Sequence, residues 1–217
     1  DFQGDWRREA GFNSLATDVI APMYPEIDDI VEWSRKTKDQ RPLIMCEYSH
    51  SMGNSNGSLS DYWKAILNNH GLQGGFIWDW VDQGLDQDGK GNWDYGGDFG
   101  DDPNDANFCI NGLLWPDRTV HPAINEFKKL VQPVDLKSVD LRKGKFELFN
   151  RRFFKGIDDI LLKWRLEIEG EIIQEGVIEK LNVGPQQKKQ IKINLVKPKI
   201  KAEKEVYLKT SYILKNP

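Results

Sequence analysis

Apolar runs alternate with helical patterns in the first part of the chain. Residues 18–24, 42–48 and 74–80 form nearly continuous apolar runs, a pattern typical of strands buried on both faces. Residues 26–38, 58–70 and 122–132 carry apolar side chains at spacings of three and four, which predicts helices. The order strand, helix, strand, helix, strand predicts βαβ units and a parallel sheet.

Functional side chains stand where each predicted strand ends. Tyr24 ends the first strand, Glu47 lies near the end of the second, and Trp78 and Asp79 lie near the end of the third. In a TIM barrel the catalytic groups occupy this edge of the sheet. The glycine-rich stretch that follows, residues 81–119, is irregular, and loops of that length are usually functional or disordered. Its apolar residues, Phe108 and Leu113 among them, argue against disorder.

The second part of the chain alternates apolar and polar residues. Residues 145–149, 161–169, 172–178, 190–195 and 206–212 read as short strands with polar turns between them, which predicts an antiparallel sandwich. Residues 1–137 carry 12 basic and 23 acidic side chains, whereas residues 138–217 carry 18 and 11. This reversal of charge predicts two domains, residues 1–135 and 136–217.

Composition excludes several classes of protein. The net charge of −4 argues against nucleic acid or a membrane surface as a partner, and no apolar run approaches the roughly 20 residues of a membrane span. Cys46 and Cys109 belong to no Cys-x-x-Cys pair, so we expect two buried free thiols, with a disulfide as the less favoured alternative. Seven of the eight tryptophans precede residue 138, which suits a core and also a sugar site lined by aromatic faces.

Glu47 is the most informative single residue. A carboxylate at the end of a buried strand is costly unless something stabilises it, and Tyr48, His50 and Asn54 follow closely as hydrogen-bond donors. The residues alone leave two interpretations open, a catalytic carboxylate or a structural ion-pair partner.

A family resemblance favours the first interpretation. Residues 44–55, IMCEYSHSMGNS, closely resemble the nucleophile signature of glycoside hydrolase family 2 β-galactosidases. Residues 74–83, 95–113 and 117–123 resemble the family's last barrel strand, its active-site loop and the segment that leads out of the barrel. The resemblance covers roughly residues 16–135. It implies an α/β plus all-β chain: the last three βα units of a (β/α)8 TIM barrel, then an immunoglobulin-like antiparallel β-sandwich that we expect to be truncated.

The resemblance also implies an activity. Family members are retaining enzymes in which two carboxyl groups lie about 5–5.5 Å apart. Glu47 matches the nucleophile that forms a covalent galactosyl-enzyme from terminal non-reducing β-D-galactosides. We expect the acid/base glutamate and the magnesium ligands upstream of this chain. The family also has a catalytic tyrosine at the end of the fifth strand; Phe2-Gln3-Gly4 falls near that place and offers phenylalanine, so that role is assigned to no residue.

Four further residues match the family's binding groups. His50 matches a histidine that binds galactose hydroxyls, and Trp78 matches the floor of the galactose pocket. Asn111 and the backbone carbonyl of Phe108 match groups that hold a sodium ion beside the sugar's 6-hydroxyl. The alternatives are a local hydrogen-bond role for His50 and a core role for Trp78.

Three aspartates near these segments are candidates for a second carboxylate. We interpret Asp79 and Asp98 as hydrogen-bond acceptors behind the groups that touch the sugar, and Asp82 as a loop residue. Asp98 is the choice if both catalytic carboxylates lay within this chain.

Two rival functions remain open. One is a β-glucuronidase or β-mannosidase on the same fold. The other is a non-catalytic fragment or carbohydrate-binding module, because three of the eight barrel strands cannot close a barrel. We expect the isolated chain to be inactive and poorly stable, with the remainder of the parent enzyme as its partner and a homo-oligomer when full length.

Overall fold

The fold is given by a computed structural model that describes residues 17–198 and 204–216. Phe2-Gln3-Gly4 therefore lies outside the described residues. The chain divides after Val131 into two compact units. Among the helices of the described ranges, none has both the length and the apolar character needed to span a bilayer.

The first unit alternates helices with parallel strands. Its elements are α1 (Ile27–Lys36), β1 (Leu43–Tyr48), α2 (Leu59–Asn68), β2 (Leu72–Ile77), a 3₁₀ turn (Ala106–Cys109) and α3 (Ala123–Val131). Strands β1 and β2 run parallel, with Leu43 opposite Leu72 and Tyr48 opposite Ile77. Strand β2 ends before Trp78, so Trp78, Asp79 and Trp80 lie beyond it instead of inside the strand predicted over residues 74–80.

The first predicted strand is broken. Residues 20–24 run beside β1 through two isolated parallel bridges, Ile20 with Leu43 and Met23 with Glu47. The Cys46 amide donates to the Pro22 carbonyl at 3.0 Å, and the Tyr24 amide donates to the Glu47 carbonyl at 2.9 Å. Proline has no amide proton, so a continuous ladder cannot form through Pro22. The predicted parallel arrangement is present with a shorter first strand.

One apolar core holds the first unit together. Strand β1 places Leu43, Met45 and Tyr48 in it, and each is almost fully buried. Helices α1 and α2 cover the sheet with Ile30 and Leu59. Burying a side chain of this size stabilises a fold by roughly 1.5–3 kcal/mol. The core fixes β1 and therefore the position of Glu47 at its end.

The second unit is a pair of antiparallel sheets. Strands β3 (Val134–Asp140), β4 (Lys145–Asn150) and β7 (Lys188–Lys192) form one sheet in the order β3-β4-β7. Strands β6 (Glu171–Ile178), β5 (Ile160–Ile168) and β8 (Val206–Leu214) form the other in the order β6-β5-β8. The sandwich pattern is confirmed, and the described part of this unit contains six strands, one more than the five alternating segments of the sequence.

Strand β3 was not among the predicted strands. Of its seven residues only Val134 is buried, and its second half, Lys137 to Val139, is exposed, so it carries little hydrophobic alternation. Backbone pairing with β4, which runs from Val134–Asn150 to Asp140–Lys145, forms this strand in place of side-chain burial. The core between the sheets contains nine buried residues: Val134, Phe146, Leu148, Ile157, Ile160, Leu162, Leu181, Val183 and Ile193.

Candidate active site

The candidate site lies where the three parallel segments of the first unit end. Tyr24 follows the first segment, Glu47 is the fifth residue of β1, and Trp78 follows β2 directly. The carboxyl ends of neighbouring parallel strands meet at one edge of a sheet, so these three residues come together. Glu47 is half-buried between the buried side chains of Met45 and Tyr48 along its strand.

The hydroxyl of Tyr24 lies against the carboxylate of Glu47. Burial raises the pKa of Tyr24, and its hydrogen bond with the Glu47 side chain raises that pKa further. The negative charges of Glu47 and Asp79 act in the same direction. A phenol in this setting keeps its proton over the physiological range, so it is a hydrogen-bond donor to the carboxylate.

His50 joins this pair to the loop that contains Phe108. The ring centroids of Tyr24 and His50 lie 6.3 Å apart, and the rings of His50 and Phe108 stack at 5.4 Å with an interplanar angle of 28°. The Ser55 hydroxyl donates to the His50 carbonyl. The Asn56 amide donates to the Ser49 carbonyl at 2.8 Å. The short turn after β1 is thus tied to its own backbone, which limits where His50 can point.

Trp78 connects the turn after β1 with the segment after β2. Its carbonyl accepts from the Ser51 amide at 2.6 Å, and its side chain is 39% exposed. The next residue, Asp79, donates through its amide to the Asn111 carbonyl at 2.7 Å and accepts from the Leu113 amide at 3.0 Å. The indole is therefore partly accessible while its backbone is fixed on both sides.

Asn111 is the buried polar side chain of the loop. It is 3% exposed, and its amide nitrogen donates to the Phe108 carbonyl at 2.8 Å. Its side-chain oxygen is buried and has no hydrogen-bond partner among the described residues. A buried acceptor left unpaired costs about 1–3 kcal/mol, unless a ligand supplies the missing interaction.

The residues predicted for sodium fit that ion in part. The unpaired oxygen of Asn111 is a neutral hard ligand, the type that such cations prefer. The Phe108 carbonyl already accepts one hydrogen bond, and it retains a second lone pair. Two ligands do not complete a coordination shell, so a sodium ion here would need further oxygen ligands.

The three candidate aspartates differ sharply in environment. Asp98 is exposed and accepts from the Tyr95 amide at 2.9 Å, an interaction within its own turn. Asp79 accepts from the Gln83 side chain at 2.8 Å. Asp82 is only 3% exposed, and its oxygens accept from the Gly112 amide at 2.6 Å and contact the His121 ring at 2.7 Å. Asp82 lies in a loop, as predicted, but it is buried and its carboxylate is paired.

Sequence reasoning missed the contact of Tyr24 with Glu47 and the pair formed by Asp82 and His121. Tyr24 carried a signal, because it stands at a strand end like Glu47. Asp82 and His121 are 39 residues apart, a separation at which no local spacing links them. Cys46 and Cys109 are both free, as predicted, but they are only partly buried. Burial, and then the Glu47 carboxylate, raise the pKa of the Cys46 thiol, which makes it a poor nucleophile.

An alternating α/β unit with a carboxylate, a tyrosine and a tryptophan at its strand ends is typical of a TIM-barrel enzyme site. Comparison with known families makes this specific. Residues 1–136 match the family described as "Glycosyl hydrolases family 2, TIM barrel domain", and residues 146–217 match "Beta-galactosidase, domain 4". The chain belongs to glycosyl hydrolase family 2.

Several curated relatives resemble the chain over most of its length. A "Beta-galactosidase" of Vibrio vulnificus is 41% identical over 221 residues, which is 94% of this chain and 21% of the relative. Proteins of the same name from Aeromonas hydrophila and Photobacterium profundum are 43% and 45% identical over 76% of this chain and 18% of their own. The chain thus spans about a fifth of the length of these relatives.

One solved structure aligns with most of the chain at low similarity. A β-glucuronidase from Bacteroides uniformis covers 91% of this chain and 26% of its own, with 10% identity and a TM-score of 0.34. A similarity of this size does not bear on function.

Proposed function

We propose that this chain contributes the nucleophile half of the active site of a retaining β-galactosidase, with Glu47 as the nucleophile. The observation that carries the proposal is the placement of Tyr24 beside Glu47 at the strand ends, where the Tyr24 amide donates to the Glu47 carbonyl at 2.9 Å and the Glu47 side chain, after burial, raises the pKa of the Tyr24 phenol. Membership of glycosyl hydrolase family 2, and relatives named beta-galactosidase at about 40% identity, support it.

The proposed reaction has two steps. The Glu47 carboxylate attacks the anomeric carbon of a terminal β-D-galactoside, the glycosidic bond breaks, and an acid/base glutamate outside this chain protonates the departing oxygen. Water, deprotonated by the same glutamate, then attacks the anomeric carbon and releases galactose and the Glu47 carboxylate. Two inversions give net retention of configuration.

Tyr24 has a role in this scheme. Because Tyr24 lies beside Glu47, we assign it a part in the release of the nucleophile. As Glu47 departs from the sugar, negative charge grows on its carboxylate. A hydroxyl that already donates to that carboxylate stabilises the charge without reorganisation.

His50, Trp78, Phe108 and Asn111 form the proposed galactose pocket. The ring of His50 lies near that of Tyr24 and stacks on Phe108, which places a polar group beside Tyr24 and Glu47. The partly exposed indole of Trp78 offers an apolar face for sugar C–H groups. The site edge in this chain thus combines a nucleophile, a polar contact and a stacking surface.

Two metal ions belong to the proposal. Asn111 and the Phe108 carbonyl would hold part of a sodium site, where the ion would orient the sugar's 6-hydroxyl. Magnesium ligands are expected in the remainder of the parent enzyme, around the acid/base glutamate. The three parallel segments are proposed as strands six, seven and eight of the barrel, and the full-length enzyme as a homo-oligomer.

A panel of nitrophenyl glycosides, assayed with the full-length parent protein, tests the specificity. We expect the β-galactoside to be hydrolysed far faster than the β-glucuronide and the β-mannoside, with β-configured galactose released first. Faster cleavage of the glucuronide would contradict the galactosidase assignment and indicate a β-glucuronidase on the same fold. The purified 217-residue chain should show no turnover; measurable hydrolysis by the chain alone would contradict the two-part active site.

A further inference from the structure

The mechanism proposed above makes no use of Asp82, one of the most buried carboxylates of the described residues. Its side chain is 1% exposed, and it contacts His121, whose side chain is 22% exposed. One carboxylate oxygen accepts from the Gly112 amide at 2.6 Å, and the other lies 2.7 Å from His121 Nε2. Burying a carboxylate is costly unless it is paired, and here both oxygens are engaged.

The Gly112 amide shares its peptide group with the Asn111 carbonyl. That carbonyl accepts from the Asp79 amide at 2.7 Å, while the Gly112 amide donates to Asp82. The peptide that follows Asn111 is thus held from both ends. A Cβ on Gly112 would lie 2.3 Å from the Asp82 nitrogen and from the Val81 carbonyl carbon, so the two backbones meet in direct contact.

His121 attaches the same loop a second time. Its amide donates to the Leu113 carbonyl at 3.0 Å, and its ring stacks on Trp115 with centroids 4.4 Å apart. The imidazole is held by these contacts at a fixed place. The His121 ring therefore holds the Asp82 carboxylate in the orientation in which it accepts the hydrogen bond from the Gly112 amide.

We propose that Asp82, held by His121, is the positioning residue that directs Asn111 toward the sugar's 6-hydroxyl. This inference rests on the proposed function, because it takes Asn111 as a contact at that end of the galactose pocket. The backbone of Asn111 is held by Asp79 and Asp82, and its side-chain nitrogen donates to the Phe108 carbonyl, so these contacts together limit where its buried, unpaired side-chain oxygen can point. Asp82 itself touches no substrate atom.

The carboxylate is suited to this task in a way that an apolar residue is not. Hydrophobic pairs of similar volume often stabilise a fold as well as a buried ion pair does. An apolar side chain, however, cannot accept a hydrogen bond from the Gly112 amide. The Asp82 carboxylate does so with one oxygen while its other oxygen contacts the His121 ring. Partners that orient ligand-binding groups typically change affinity or activity by 10–100-fold when they are replaced.

The test compares two substrates in the full-length parent protein. The substrates are nitrophenyl β-D-galactoside and nitrophenyl β-D-fucoside, which lacks the 6-hydroxyl. The variants are Asp82→Ala, Asp82→Asn and, as the matched control, Asp86→Ala. Asp86 is an exposed carboxylate in the same loop that accepts from the Lys90 and Gly91 amides at 3.1 and 3.0 Å.

Asp82→Ala should raise KM for the galactoside about 10-fold or more while kcat/KM for the fucoside changes much less. Asp82→Asn keeps an oxygen for Gly112 but loses the carboxylate, so it should lower the preference for the galactoside below that of Asp86→Ala, though by less than Asp82→Ala does. The rise in melting temperature caused by sodium, measured without substrate, should shrink in Asp82→Ala and stay normal in Asp86→Ala. A general structural defect would lower kcat/KM for both substrates by a similar factor.

The outcomes separate the inference from the function on which it rests. An active wild type whose Asp82→Ala variant loses galactoside and fucoside equally, or loses neither, overturns the positioning role alone. If Asp82→Ala does not fold, the Asp82→Asn variant decides. A galactoside-over-fucoside preference below that of Asp86→Ala supports the positioning role. An unchanged preference with a smaller sodium-dependent rise in melting temperature also supports it. If Asp82→Asn shows the wild-type substrate preference and the wild-type sodium-dependent rise in melting temperature, the positioning role is overturned. A wild type that does not cleave the galactoside overturns the proposed function, and this inference with it.

Discussion

Tyr24 and Glu47 lie side by side across the first two parallel segments of the sheet, and the Glu47 side chain, after burial, raises the pKa of the Tyr24 phenol. The Tyr24 amide donates to the Glu47 carbonyl at 2.9 Å, so the backbones of the two residues are also joined. In the proposed mechanism, this arrangement keeps the nucleophile and a proton donor close together before any substrate binds. Interactions that are preorganised in this way are the most effective at stabilising charge that develops in a transition state.

Replacing Tyr24 by Phe in the full-length enzyme tests this pair. The variant keeps the ring next to His50 and loses only the donor to Glu47. We expect kcat to fall about 100-fold, the lower end of the usual effect of a positioned proton-transfer group. Rapid-quench measurements should show a galactosyl-enzyme that accumulates, because its breakdown needs the departing carboxylate to be stabilised.

Tyr62→Phe is the matched control for that experiment. The Tyr62 hydroxyl donates to the Pro25 carbonyl at 2.8 Å and lies in the core around α2. Its loss should lower the melting temperature and leave kcat within about twofold. Equal kcat values for Tyr24→Phe and Tyr62→Phe would show that the Tyr24 hydroxyl has no part in catalysis.

Removal of the Asn111 side chain tests the sodium site. Asn111→Ala deletes the buried, unpaired oxygen, so the sodium concentration that gives half-maximal activation should rise at least 10-fold. Asn125→Ala, at an exposed position of α3, controls for the loss of an asparagine. Choline chloride keeps the ionic strength constant. Identical sodium titrations for wild type and Asn111→Ala would remove Asn111 from the site.

Gly112 should tolerate no side chain. A Cβ there would approach backbone atoms of Val81 and Asp82 to 2.3 Å, and backbone cannot move aside as a flexible side chain does. Gly112→Ala should cost more than the roughly 1–3 kcal/mol of ordinary overpacking. Gly57→Ala adds a Cβ that meets nothing within 4 Å and should be nearly neutral. Differential scanning calorimetry of the two variants checks this; similar melting temperatures would contradict the close contact of the two segments.

Stability above pH 10 should depend on Tyr48. Burial raises the pKa of Tyr48 to about 12, above the usual tyrosine pKa of about 10, and the Trp63 indole opposes that shift to a lesser degree. Between these two pH values the unfolded chain releases a proton that the folded chain keeps, so stability falls as pH rises. The largest slope that one group can contribute is about 1.4 kcal/mol per pH unit.

Tyr48→Phe removes this contribution. As the pH is raised from 9 to 11, the melting temperature of the wild type should fall more than that of Tyr48→Phe. Tyr95→Phe, at an exposed tyrosine, is the control and should keep the wild-type dependence on pH. A gap between Tyr48→Phe and wild type that does not change with pH would refute the shifted ionisation.

Hydrophobic periodicity predicts much of this fold, because strands and helices that bury a face must display it. It predicts β1 through Leu43 and Met45, and β5 through its alternating buried residues. It fails for β3, which is formed by backbone pairing with β4 and buries little beyond Val134. It also overextends the first strand, because Pro22 interrupts the ladder without interrupting the apolar pattern.

The candidate site divides along the same line. Glu47 and Trp78 are recognisable because they follow apolar runs directly, and the family resemblance adds roles for them. The partner of Tyr24 and the pairing of Asp82 with His121 depend on where distant loops meet. Side chains 39 residues apart come into contact only through the path of residues 81–119, which lacks a regular period.

The claim that Glu47 is the nucleophile has one direct test. The full-length enzyme is inactivated with dinitrophenyl 2-deoxy-2-fluoro-β-D-galactoside, digested, and mapped by tandem mass spectrometry. We expect one fluorogalactosyl group, attached to the Glu47 carboxylate. We expect no labelling of a Glu47→Gln variant. A sugar attached to Asp79, Asp98 or any other residue would contradict it.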